Sequence, residues 1–114
     1  MTADFQALID GRRRDLQTRL QSVLSQLAAI RDARSGATDD DEHDPEGSTL
    51  STEWSRAEGR RADVTRELVE LDAALARVAD GTYGLCESCG RPIPLERLQL
   101  LPAATLCVPC ADKR

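Results

Sequence analysis

Four cysteines are the residues best placed to do chemistry, and all of them lie in the last 29 residues as Cys86-x2-Cys89, seventeen residues, then Cys107-x2-Cys110. Two CxxC pairs separated by 15 to 20 residues have the spacing of a zinc site. Each CxxC turn brings two thiolates together with backbone N–H groups directed at the sulfurs. Two such turns complete a tetrahedral set at Zn–S distances of about 2.3 Å. Gly90, directly after Cys89, predicts a tight knuckle with positive φ. Four protein ligands leave no coordination position for water or substrate, so the reading is one structural Zn²⁺ held by Cys86, Cys89, Cys107 and Cys110. Such a centre carries a formal charge of −2, which Arg91 and Arg97 are near enough in sequence to offset. Two disulfides are the competing use of four cysteines, disfavoured by a polar N-terminus without the apolar core of a signal peptide. A thiol redox motif calls for a βαβ context that is absent, and an iron–sulfur cluster fits the spacing less well.

The second chemical feature is acidic. Asp39, Asp40, Asp41, Glu42, Asp44 and Glu46 put six carboxylates within eight residues, with His43 among them. Six of the 20 acidic residues are in that block, so the rest of the chain is nearly neutral, 14 acidic against 15 basic residues. Sequence-specific or general binding to nucleic acid is therefore not expected, because it needs a clustered basic surface. An acidic block suits a cationic partner or a metal-containing site, although a charge run between helices is by itself usually a solvated linker. A lone histidine without a pocket supports no acid–base role, and the chain is read as a non-enzyme.

These groups need elements to position them. From Asp4 to about Arg34 there is no proline, and Phe5, Leu8, Ile9, Leu16, Leu20, Val23, Leu24, Leu27 and Ile30 recur at helical spacing. Ile9, Leu16, Val23 and Ile30 lie seven apart, a seam for a partner helix. The segment from about 35 to 48 contains Gly36, Pro45, Gly47 and the acidic block and reads as a loop, with Ser48 or Thr49 as cap of the next helix. Positions 50, 54, 57, 61, 64, 68, 71, 75 and 78 then alternate in steps of four and three, and only Arg61 among them is not apolar. This second heptad seam ends at Asp80, Gly81 and Gly84. Pairing the two seams within the chain gives an antiparallel hairpin, with Trp54 as a packing residue. Arg12, Arg13 and Arg14 read as a solvated face or a partner contact. Arg91-Pro92-Ile93-Pro94 is extended, Leu95 to Leu101 a short helix stopped by Pro102, and any helix after Cys110 about one turn. The fold expected is all-α dominated: a long antiparallel coiled-coil hairpin over residues 1–80, then a small four-cysteine module over 81–114.

At 114 residues with three aromatic side chains, the chain has material for one small domain without a thick core. No apolar run approaches the roughly 20 residues that span a bilayer, so a cytoplasmic protein without membrane contact is expected.

The run Asp80-Gly-Thr-Tyr-Gly-Leu-Cys86-Glu-Ser-Cys89-Gly, with Pro92-Ile93-Pro94, Arg97-Leu98 and Leu101-Pro102-Ala-Ala-Thr-Leu-Cys107-Val-Pro-Cys110, resembles the DksA/TraR C4-type zinc-finger proteins. The helix–acidic loop–helix order before it is similar as well. The resemblance implies a bacterial transcription factor that binds RNA polymerase rather than promoter DNA. Its coiled coil enters the secondary channel and its acidic tip approaches the catalytic centre. Family tips carry an Asp-x-x-Asp-x-Ala pattern, and Asp41, Asp44 and Glu46 match it with Glu46 in place of alanine. Counting back from Cys86 without gaps puts His43 and Glu46 at the tip positions instead. Leu101 stands where DksA-type factors place an arginine toward ppGpp, and Glu67 and Glu70 stand where basic residues are expected, which argues against a ppGpp site of that kind. A zinc-stapled coiled-coil adaptor for another protein is the alternative reading.

Overall fold

A computed structural model describes residues 2–36 and 45–113, with side chains from 4 to 36 and from 49 to 113. Among the described residues there are four helices, α1 (Thr2–Ser35), α2 (Pro45–Asp80), α3 (Leu95–Leu100) and α4 (Val108–Asp112), and no β-strand beyond one isolated antiparallel bridge between Leu85 and Pro92. The fold is the expected helical hairpin with its cysteines gathered near the C-terminal end. Helix α2 begins at Pro45, before the caps read at Ser48 and Thr49, which both fall inside it. Proline suits a helix start because its missing N–H would be an unpaired donor there in any case and its φ is already helical.

The chain forms two compact units, one of Leu16–Arg66 and one of Met1–Asp15 with Glu67–Arg114. In the first, α1 and α2 pack through Val23, Leu27, Ile30 and Ala57, all buried, with Leu50 and Trp54 laid against them. Trp54 is thus a packing residue, and Arg61 on the seam is half-buried with Nε on Glu58 at 2.9 Å. Gln26 accepts a hydrogen bond from Arg60 Nη2 across the pair at 2.7 Å. Leu24, counted with the apolar set, lies off the seam and is exposed.

In the second unit, Ile9 of α1 and the α2 positions Leu71 and Ala74 are all fully buried and supply the core. Ala74 lies one residue before the seam position 75. Burial shifts to it because an α-helix of 3.6 residues per turn drifts against a 3.5-residue repeat unless it supercoils to compensate. Two charged pairs cross between the helices here. Arg12 forks onto Glu67 (Nε–Oε2 2.6 Å, Nη2–Oε1 2.9 Å), and Arg13 Nη2 reaches Asp72 Oδ1 at 3.1 Å. Two of the arginines read as a solvated face are therefore interhelical ties.

Candidate metal centre

The site grows from the end of α2. Asp80 Oδ1 accepts hydrogen bonds from the Thr82 N–H (3.0 Å) and hydroxyl (2.5 Å), which closes the helix and holds the Asp80 carboxyl below its ordinary value. The Thr82 and Tyr83 N–H groups both return to the carbonyl of Arg77. Gly84 turns the chain at φ +85°, a conformation that favours glycine, and a Cβ there would also touch Leu98 Cδ1 at 3.6 Å.

Leu85 to Pro92 then forms the first knuckle. The Cys86 N–H donates to Arg91 O (2.8 Å), Gly90 N–H to Cys86 O (2.9 Å), and Ile93 N–H to Gly84 O (2.7 Å). Gly90 has φ +77°, the positive value expected of it. The second knuckle runs into α4, where Ala111 N–H returns to Cys107 O at 2.9 Å. Glu87 N–H to Thr105 O (2.8 Å) joins the two knuckles, and Arg97 Nε to Leu106 O (2.9 Å) joins α3 to the second. Arg97, expected to offset the charge of the sulfurs, is thus engaged with backbone, and Arg91 is exposed.

The result is a cluster of Cys86, Cys89, Cys107 and Cys110 whose sulfurs all lie within 4.8 Å of one another. All four thiols are free of disulfide bonds. Cys89 and Cys107 Sγ are 3.7 Å apart. A tetrahedron with Zn–S bonds of about 2.3 Å has edges of about 3.8 Å, so the spacing suits Zn²⁺. The backbone N–H of Cys107, with those of Cys89 and Ser88, draws the Cys86 thiol down to about 6. Hydrogen bonds with the Cys107 and Cys86 side chains push the Cys110 thiol up to about 12. Four sulfurs this close cannot all ionise without a cation among them, whereas the turns direct N–H groups at sulfur as a metal knuckle requires.

Buried Ile93, Leu98 and Tyr83 form the apolar backing. Tyr83 donates its hydroxyl to Pro102 O at 2.8 Å, and its ring packs on Phe5 of α1 with centroids 4.8 Å apart at 55°. This link between α1, the end of α2 and the second knuckle was not visible in the sequence. Its only signal was an aromatic pair in a chain with three aromatic residues. Beside α3, Arg77, Arg97, Glu70 and Ala111 line a cleft of about 380 Å³. Leu101 is exposed, and Glu67 accepts the Arg12 fork. Asp41 and Asp44 lie outside the described residues; Glu46 falls in the first turn of α2, its side chain likewise undescribed.

Residues 81–114 match the prokaryotic dksA/traR C4-type zinc-finger family. The C-terminal module is similar to DksA/TraR zinc fingers. The DksA resemblance also extends beyond it. An RNA polymerase-binding transcription factor DksA from Caulobacter vibrioides is 46% identical over 65 residues, 55% of this chain and 46% of that protein. The DksA of Escherichia coli K12 is 37% identical over 68 residues, 59% of this chain and 45% of its own length. The chain's match thus spans less than half the length of these curated relatives. The solved structure of the transcription factor DksA2 from Pseudomonas aeruginosa matches with a TM-score of 0.81 and 27% identity, covering 98% of this chain and 81% of that one.

Proposed function

We propose that this chain is a DksA-type transcription factor, not an enzyme, that binds RNA polymerase directly. In this reading residues 1–80 form the hairpin, residues 81–114 the zinc module, and Cys86, Cys89, Cys107 and Cys110 hold one structural Zn²⁺. The acidic tip, through Asp41, Asp44 and Glu46 in the first turn of α2, enters the secondary channel and acts near the catalytic Mg²⁺ to change open-complex stability. One observation carries the proposal: a DksA/TraR four-sulfur cluster joined to paired helices that match DksA2 over 98% of this chain. The relatives named as RNA polymerase-binding factors support the partner.

A polymerase channel lined with basic groups around its metal attracts carboxylates and steers their approach. Promoter DNA is not the expected partner, because outside the acidic block the chain is nearly neutral, 14 acidic against 15 basic residues. Glu70 on the wall of the cleft and the exposed Leu101 argue against a ppGpp site built in the DksA manner. Among the described residues no helix is long and apolar enough to cross a membrane, in keeping with a factor that works beside cytoplasmic polymerase.

The test is reconstituted transcription with purified core polymerase and the zinc-loaded chain. Co-purification with the core and altered initiation on at least some promoters are expected. Unchanged transcription across several promoters at saturating protein, with no core association, would refute the reading and leave the adaptor role.

A further inference from the structure

An apolar seam of heptads does not by itself say which heptad faces which. Sliding one helix by seven residues returns leucine and valine to the same face. α1 interrupts its seam between the buried Ile9 and Leu16 with Gly11-Arg12-Arg13, all half-buried. A polar residue set into a seam specifies register when only one alignment satisfies it.

We propose that Arg12–Glu67 and Arg13–Asp72 are a register lock that excludes heptad slips of α1 along α2. In the observed alignment Arg12 meets Glu67 through two hydrogen bonds, and Arg13 meets Asp72. Seven residues either side of Glu67 stand Arg60 and Ala74, and seven either side of Asp72 stand Thr65 and Ala79. Neither slip supplies a carboxylate, and one sets Arg12 against another arginine. Both the Arg12 fork and the Arg13 pair would then be lost, a cost that is modest in stability at these partly exposed positions but falls on the slipped alignments alone. The planar Arg12 fork adds direction, because two parallel N–H···O bonds fix the approach of the partner. Glu67 draws the Arg12 guanidinium toward its charged form, with a smaller attraction from Asp15 on the same helix. The Phe5–Tyr83 contact favours the same alignment but is apolar and less directional.

Any consequence for transcription rests on the function proposed above; the lock itself does not. The experiment is a spin-label distance measurement on the zinc-loaded full chain. Genetically encoded nitroxide residues at the exposed positions 6 and 76 leave the cysteines to the metal. The parent chain should give one narrow distribution. Arg12→Gln with Arg13→Gln should add a second population, displaced along the axis by about 10 Å, seven residues of rise. Exchanging the charges, Arg12→Glu with Glu67→Arg, should restore the single population. An unchanged single distribution in the glutamine variant would overturn the lock, as would failure of the charge exchange to restore it. If the glutamine variant does not fold, Glu67→Gln decides in its place: a second, displaced population supports the lock and an unchanged single distribution overturns it. Transcription assayed on the same proteins separates the two readings. An inactive parent chain speaks against the polymerase role, while the distances still decide the register.

Discussion

Tyr83 brings three stretches of chain together through one side chain. Its ring lies on Phe5, its hydroxyl donates to Pro102 O, and its N–H returns to Arg77 O. Burial raises the phenol above its ordinary value. A raised folded-state value means that the stabilisation is complete below the unfolded phenol's pKa, near ~10, and is lost as pH rises through the folded value. Tyr83→Phe should cost about 1 kcal/mol at neutral pH, since the Pro102 carbonyl loses its donor, and should remove that part of the alkaline loss. Urea denaturation at about pH 7 and about pH 10.5 measures both. At Cys89 the expectation is sharper: Cys89→Ser should release zinc and unfold the module, because structural zinc supplies folding free energy. One tightly bound zinc together with native circular dichroism in that variant would contradict it. The cysteines were legible because sulfur spacing is a local property of the chain. Arg12 and Arg13 were not, since a run of three arginines looks like a solvated face until the carboxylates of Glu67 and Asp72, far along the chain, are folded against it.

At the scale of elements, the seams were legible from their period. Ile9, Leu16, Val23 and Ile30 are all buried, and so are Ala57 and Leu71. Buried Ala74 was missed because a strict heptad ignores the drift of a 3.6-residue helix, and the start of α2 because Pro45 and Gly47 read as loop residues. A methyl group added at Gly59 would meet nothing within 4 Å, and φ there is not positive. Gly59→Ala should therefore stabilise α2 by about 0.5–1 kcal/mol in chemical denaturation, helix propensity being the only change. Ala74 is fully buried, so Ala74→Leu should destabilise by about 1–3 kcal/mol through overpacking, read from the same denaturation curves.

At the scale of the molecule, metal and helices are expected to stand or fall together around the knuckles. Residues 1–15 share a compact unit with the cysteines, and Phe5 reaches Tyr83. Chelation should lower the melting temperature and abolish the near-ultraviolet signal of Tyr83, with restoration on adding zinc. At free zinc about 1,000-fold above its dissociation constant the difference is about 4 kcal/mol. The acidic loop carries the functional claim. Asp41→Asn with Asp44→Asn should leave fold and polymerase binding intact and weaken the effect on initiation. Wild-type activity in that variant would place the acting carboxylates elsewhere in the loop. The most direct measurement is a photocrosslink from position 44 to RNA polymerase, mapped by mass spectrometry. Adducts on the polymerase walls of the secondary channel, near the catalytic Mg²⁺, are the predicted result. Adducts confined to the outer surface, or none while the chain still alters initiation, would contradict it.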